Sequence, residues 1–243
     1  MIVGSDICKC FGDKMVLDKA SFHVEKGSVY GLVGPNGSGK STLIRHIMGI
    51  FKPDSGCVYV DKEPVYENVE IKSKIAYVPD EIYYTGAMTI LDMADLYAGM
   101  YRSFDPVRLD KLIDAFSELE KNLQFRRMSK GMLKQAAVIL AMCIRAEVIV
   151  LDEPMDGLDP YARHRVWQLI LDSVAAEGTT VLVSSHNLRE LEDVCDHVGI
   201  IDHGRIVKEG SYDELMASGE MTLEDVFIKE VGGADDGFSD IFS

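Results

Sequence analysis

Residues 34–42 read Gly-Pro-Asn-Gly-Ser-Gly-Lys-Ser-Thr and lie between an apolar run, 29–33, and a helix-like stretch, 43–48. Gly34 and Gly39 bracket the spacing G-x-x-x-x-G-K-S. In that spacing, backbone free of side chains lets N–H groups converge on phosphate oxygens at a helix N-terminus. Pro35, Asn36, Gly37 and Ser38 complete the loop. Lys40 supplies a point charge for the outer phosphates, the Ser41 hydroxyl is placed to bind Mg²⁺, and Thr42 closes the run. The competing reading is a glycine turn between two core elements; strand, loop and helix appearing in that order weigh against it.

A second chemistry stands at residues 148–153, Val-Ile-Val-Leu-Asp-Glu, where a strand ends in two acids. In an open α/β sheet, ligands gather at the carboxyl edge of the strands. There Asp152 would hold Mg²⁺ and Glu153 would polarise an attacking water. A solvated helix start is the alternative for two such acids taken alone, and the upstream phosphate loop disfavours it. His186 follows the run 181–185 and so also sits just past a strand, within reach of a terminal phosphate or a water. Its competing role is a surface histidine capping the next helix. His23, His46, His164, His197 and His203 read as structural or surface residues.

These residues need a scaffold, and the periodicity supplies one. Residues 2–33 alternate apolar and polar between turn signals at Gly12-Asp13 and Lys26-Gly27, as antiparallel strands do. A turn at 53–56 leads to a strand at 57–60, and another strand, 75–78, ends at Pro79. Between about residues 88 and 145 the period becomes helical. Thr89 with Asp92 has the spacing of a capping box, and Asp105-Pro106 that of an N-cap with proline at N1. Leu109, Leu112, Ile113 and Phe116 share one face, as do Leu133, Ala136, Ala137, Leu140 and Ile144. Strand and helix then alternate: 148–151, a helix at 161–177 stopped by Gly178, and 180–183. Asp202-His203-Gly204 joins two short strands as a hairpin, and Ser211/Glu214 and Thr222/Asp225 start two terminal helices.

The expected fold is α/β: a P-loop NTPase with a mixed core sheet, an N-terminal antiparallel β region and an inserted helical subdomain at about 88–145. The domain runs over 2–230, and the glycine-rich acidic stretch 231–243 reads as a flexible tail, from which Phe238, Ile241 and Phe242 could instead dock on a partner. With 25 Lys and Arg against 40 Asp and Glu, the formal charge of −15 disfavours loose attachment to nucleic acid or anionic lipid. Five scattered cysteines and no secretory leader fit reduced thiols. Cys8 and Cys10 fit strand alternation better than a metal site. The longest apolar run, 136–144, is far short of the ~20 residues that cross a bilayer.

Taken in order, the phosphate loop, Asp152-Glu153-Pro154, Gly157-Leu158-Asp159-Pro160 and Ser184-Ser185-His186 resemble the ATP-binding subunit of an ABC transporter, over about residues 2–230. The resemblance implies ATP and Mg²⁺ as ligands and ATP hydrolysis as the activity. It implies Phe11 stacking on adenine, with ordinary core packing as the alternative for Phe11 alone, and Asp159 in a loop that communicates between subunits. The family's signature, typically LSGGQ, caps the ATP held by the other subunit. Here it reads Met128-Ser129-Lys130-Gly131-Met132, in which Ser129 and Gly131 match while Lys130 and Met132 depart. Ser129 serving only as an N-cap is the alternative.

Where the family places a glutamine after the strand at 75–78, this chain has Asp80, an anionic group able to bind Mg²⁺. The implied partners are a second ATP-binding subunit, identical or not, and transmembrane permease subunits, with residues 81–85 as the candidate contact. No nucleic acid partner is implied, and the implied location is the cytoplasmic face of the membrane. The phrase at 128–135 and the ending at 221–227 resemble the branch that drives ABC-2-type exporters. A soluble ABC ATPase and a low-turnover nucleotide-gated regulator are the rival functions.

Overall fold

In the computed structural model, which describes residues 1–216 and 222–232, the chain opens with β1 (Ile2–Phe11), β2 (Lys14–Val24) and β3 (Val29–Val33), then α1 (Lys40–Ile47). It continues through β4 (Ser55–Val60), β5 (Glu63–Pro64), α2 (Val69–Lys72) and β6 (Ile75–Val78). The helices α3 (Ile90–Met100), α4 (Pro106–Ala115) and α5 (Lys130–Cys143) follow, with a 3₁₀ turn at Phe125–Arg127 before the last. The remainder is β7 (Val148–Asp152), α6 (Pro160–Glu177), β8 (Thr180–Ser185), α7 (Leu188–Glu192), β9 (His197–Asp202), β10 (Arg205–Ser211), α8 (Tyr212–Leu215) and α9 (Leu223–Val231). Phe238, Ile241 and Phe242 lie outside the described residues.

Among the described residues the strands form two sheets. One is antiparallel, in the order β2-β1-β4-β5; the other runs β10-β9-β3-β8-β7-β6, parallel throughout except for β10 at its edge. The opening of the chain is thus antiparallel only as far as β2. β3 leaves for the centre of the parallel sheet because it is buried on both faces, as are β7 and β8. Alternation along these strands then divides the interior. Tyr30, Leu32, Val148, Val150 and Leu182 face one core shared with the antiparallel sheet and with Leu43, Ile44 and Ile47 of α1. Val29, Val33, Ile149, Leu151, Val181 and Val183 face a second core shared with α5 and α6.

Helix starts follow the sequence signals. Thr89/Asp92, Ser211/Glu214 and Thr222/Asp225 each form a reciprocal capping box. Asp105 caps α4 by accepting from Arg108 N, and Gly178 ends α6 in the left-handed conformation. Two expectations change. Ser55 and Gly56, read as part of a turn, belong to β4: the register shifts between Ser5 and Cys8 on β1, and Gly56 takes φ +78° beside that bulge. α5, read as one-sided, is buried on every side from Lys134 to Cys143, because α3, α4, α6 and β6 all pack on it. The short elements β5, α2 and α7 carried no periodicity to announce them.

Candidate active site

Because β3, β6, β7 and β8 run parallel, their carboxyl ends share one edge. Val33 stands opposite Ser185, Val78 opposite Leu151, and Asp152 opposite Ser184. The loop 34–42, Asp80, Asp152-Glu153 and His186 therefore emerge side by side. They border a cleft of about 450 Å³ lined by Pro35, Asn36, Gly37, Gly39, Lys40, Ser41, Thr42, Asp80, Glu153, Asp156 and His186, with Lys14 and Val16 from β2.

The loop is built by glycine. A Cβ on Gly34 would stand 2.3 Å from the Ile201 carbonyl, and Gly39 takes φ +113°, which other residues rarely adopt. Gly39 also serves as the N-cap of α1, and no side chain caps that end. The first N–H groups of the helix thus point at the cleft without a partner of their own, which is the donor set an anion takes up. The buried Ser38 hydroxyl likewise has no hydrogen-bond partner. Buried Lys40 donates from Nζ to the carbonyls of Gly34 (2.6 Å) and Pro35 (3.2 Å). Burial lowers its pKa from the ordinary lysine value, while Glu153 and Asp152 pull the other way. Uncapped amides, an orphan hydroxyl and a buried ammonium suit a polyphosphate.

Across the cleft, Asp152 is buried and accepts from Ser184 Oγ at 2.5 Å. Glu153 sits in the left-handed region at φ +48°, and its N–H donates to Ser184 O (3.2 Å) and Oγ (3.1 Å). Its Oε2 accepts from His186 N (3.3 Å) and lies 2.9 Å from His186 Nδ1. A carboxylate only accepts, so this contact puts a proton on Nδ1 and leaves Nε2 to face outward. Glu153 is thereby held by a pair of bonds to one oxygen. Among the described residues no three His, Cys, Asp or Glu side chains are grouped to hold a metal by themselves. Ser41 and Asp80 line the cleft and Asp152 stands beside it. This sparse set fits Mg²⁺, which is commonly held by one or two carboxylates together with substrate phosphates.

Other residues singled out from the sequence lie elsewhere. Phe11, 46% exposed, is not part of the cleft lining; it packs edge-on against Phe51 with ring centroids 5.5 Å apart. Ser129 and Gly131 line a separate concavity with Met132, Gln135, Gly157 and Asp159. Ser129 caps α5, accepting from Met132 N at 3.1 Å, and Asp159 caps α6, accepting from Tyr161 N and Ala162 N. One chain therefore does not bring its signature to its own phosphate loop. Of the loop aromatics, Tyr84 stacks on Phe125 at 4.5 Å in the core, whereas Tyr83 is 84% exposed.

Sequence reasoning missed Lys14, Asp156 and Lys134. Asp156 lines the cleft and accepts from Lys130 Nζ at 2.5 Å. Lys134 is buried within α5, with its ammonium near the ends of β6 and β7. The sequence carried no signal for it, since Lys134 lies off the apolar face that the periodicity marked. All five cysteines are free.

A family model described as "ABC transporter" matches residues 17–156, more than half of the 243 residues. The chain belongs to the ABC transporter family of ATPases. Among relatives of this ABC ATPase, the ABC transporter ATP-binding protein YtrB of Bacillus subtilis is 33% identical over 215 residues, covering 88% of this chain and 73% of the relative. The Nod factor export ATP-binding protein I of Sinorhizobium fredii is 34% identical over 213 residues, covering 85% of this chain; the chain spans 61% of that relative's length. A solved ATP-binding subunit of an ABC transporter superposes with a TM-score of 0.87 at 26% identity, covering 94% of this chain and 98% of that one. The dimeric structure of MJ0796, a bacterial ABC transporter cassette, has the same fold, with a TM-score of 0.79 at 23% identity, covering 87% and 99%. No described helix of this ABC ATPase is long and apolar enough to cross a membrane.

Proposed function

We propose that this ABC ATPase works as a pair of ATP-binding subunits that close on two Mg-ATP molecules and drive export through separate transmembrane subunits at the cytoplasmic face of the membrane. The observation that carries the reading is the division of the site. Phosphate loop, acids and His186 share one cleft, while Ser129 and Gly131 stand in a different concavity. A second copy, or a similar chain, turned to face the first would bring each signature to the other's cleft.

In this reading residues 34–42 bind the triphosphate, and Lys40 leaves the Gly34 and Pro35 carbonyls for the outer phosphates. Ser41 and Asp152, with Asp80 nearby, would hold Mg²⁺, which would supply charge neutralisation on the triphosphate. Glu153 orients and deprotonates the water, and His186 fixes the Glu153 carboxylate through its Nδ1–H, leaving Nε2 as an acceptor toward the attacking water. Ser129 and Gly131 of the facing subunit close over the γ-phosphate with the amides that open α5. Phe11 stacks on adenine at the rim, and Asp159 carries the state of one site to the other. Exposed Tyr83 belongs to the contact with the transmembrane subunits. The domain is 2–230, with 88–145 as the helical part that faces those subunits. Export follows the naming of the Nod factor relatives, and ATP binding energy closes the pair.

Because Glu153 is assigned to water and not to docking, Glu153→Gln is expected to lower turnover by about 10²–10⁴-fold while ATP affinity holds. The variant should accumulate as an ATP-dependent dimer, read by gel filtration with light scattering. A variant that stays monomeric with saturating Mg-ATP, or loses ATP binding, overturns the assignment.

A further inference from the structure

Lys134 is 2% exposed, yet its Nζ lies 3.0 Å from the Glu153 carbonyl, 3.4 Å from the Pro79 carbonyl, and 3.5 Å from both the Asp152 carbonyl and Asp80 Oδ1. An ammonium removed from water is tolerated only where its donors are matched. Here every acceptor comes from the ends of two neighbouring strands, β6 and β7. Those ends carry chemistry: Asp80 and Glu153 both line the nucleotide cleft. The Glu153 backbone is held in a left-handed conformation (φ +48°) that needs support from outside the turn. Lys134 also sits on the helix whose N-cap is Ser129, so one rigid element joins the second concavity to the turn bearing Glu153.

Charge gives the arrangement its sense. Asp80 brings a negative group to a cleft meant for a triphosphate, where an unpaired carboxylate repels the γ-phosphate. The Lys134 ammonium is the cation beside it, in a salt bridge at 3.5 Å. The Asp80 side chain is partly exposed, and this salt bridge draws it toward α5.

We infer that Lys134 is a positioning residue. Its ammonium ties Asp80 and the Asp152–Glu153 turn to α5, setting where Glu153 stands and holding the Asp80 charge away from the γ-phosphate. This rests on the roles proposed above for Asp80 and Glu153.

The test compares the full-length protein with Lys134→Gln, Asp80→Asn and the double variant. Each is assayed for kcat and KM of ATP hydrolysis, for affinity toward a fluorescent ATP analogue, and for its urea unfolding midpoint. Lys134→Gln is expected to lower kcat by about tenfold or more with KM within about twofold. Compared with Asp80→Asn alone, the double variant should lose little further kcat, because the charge that Lys134 offsets is already gone. A lysine that merely filled space would lower the unfolding midpoints of single and double variants alike and would cost the same kcat with and without Asp80.

A loss confined to KM, no loss at all, or an equal loss with and without Asp80 overturns the proposal. If Lys134→Gln does not fold, Lys134→Met, which keeps the unbranched apolar stem without its charged end, takes its place. Should the wild type neither bind nor hydrolyse ATP, the proposed function falls by itself. The pairing is still read from the unfolding midpoints: a double variant less destabilised than the sum of the singles supports it, and simple additivity overturns it.

Discussion

The edge of the parallel sheet and the first turn of α5 both bear family motifs, yet they are held in different ways. At the sheet edge every chemical group hangs from a buried strand whose neighbours fix its register: Asp152 opposite Ser184, Val33 opposite Ser185. The start of α5 is held by the Ser129 cap and by the ion pair of Lys130 with Asp156, whose side chains are 63% and 44% exposed. A pair that open to water adds little stability. The groups assigned to the nucleotide are thus preset. Those assigned to the facing subunit rest on local bonds that rearrange at little cost. The departures at Lys130 and Met132 fall in this weakly held region; Lys130 is exposed, and Met132 is only partly buried against the core.

Breaking the preset side should give the larger effect. Lys40→Ala removes the buried cation from the loop, and charge-assisted bonds of about 1.5–3 kcal/mol correspond to a fall in ATP affinity of roughly ten- to 150-fold. Titration with a fluorescent analogue reads it. Stability should hardly move, because burial already disfavours this ammonium. Affinity unchanged in this variant would remove the phosphate-loop assignment.

Breaking the α5 side should separate binding from closure. Ser129→Ala deletes the bond to Met132 N, and loss of an N-cap costs about 1 kcal/mol of stability. A single subunit should bind ATP as the wild type does, while the ATP-dependent dimer of the Glu153→Gln background disappears on gel filtration. If Ser129→Ala weakened ATP binding by the isolated subunit to the degree of Lys40→Ala, the two regions would form one site and the comparison would fail.

How much of this the sequence announced differs between the regions for a physical reason. Strand ends and helix caps are written locally. Residues 148–153 show a buried strand running into two acids, and Thr89 with Asp92 shows a capping box that the structure contains. Bonds between distant segments have no local signature. Asp156 lines the cleft only because the chain turns back after β7, and it meets Lys130 across 26 positions. Lys134 falls between the apolar positions that defined the expected buried face of α5, so nothing in that pattern singled it out. It is buried because helices close over α5 from both sides, which no periodicity within α5 reveals. Likewise the bulge that draws Ser55 and Gly56 into β4 depends on β1, some 50 residues earlier.

The smallest effect concerns the far end of α1, where the preset side is anchored. His46 Nδ1 lies 2.7 Å from the Thr42 carbonyl, so that nitrogen carries the proton, and buried Nε2 has no partner. Charging the ring would place a second N–H in that position. Burial accordingly lowers the His46 pKa from the ordinary 6.5, with Lys9 lowering it further against the opposing Thr42 and Lys52 carbonyls and Asp54. The sign follows by linkage. Below pH 6.5 the unfolded chain binds a proton that the folded one refuses, so stability falls as pH drops from there toward the folded pKa. The slope from this one group is at most about 1.4 kcal/mol per pH unit. His46→Gln keeps a donor for Thr42 and does not titrate. Urea unfolding between neutral and mildly acid pH should therefore show a shallower decline for the variant than for the wild type. Parallel declines would mean that the acid sensitivity of the fold arises elsewhere and that α1 is anchored without regard to the charge of His46.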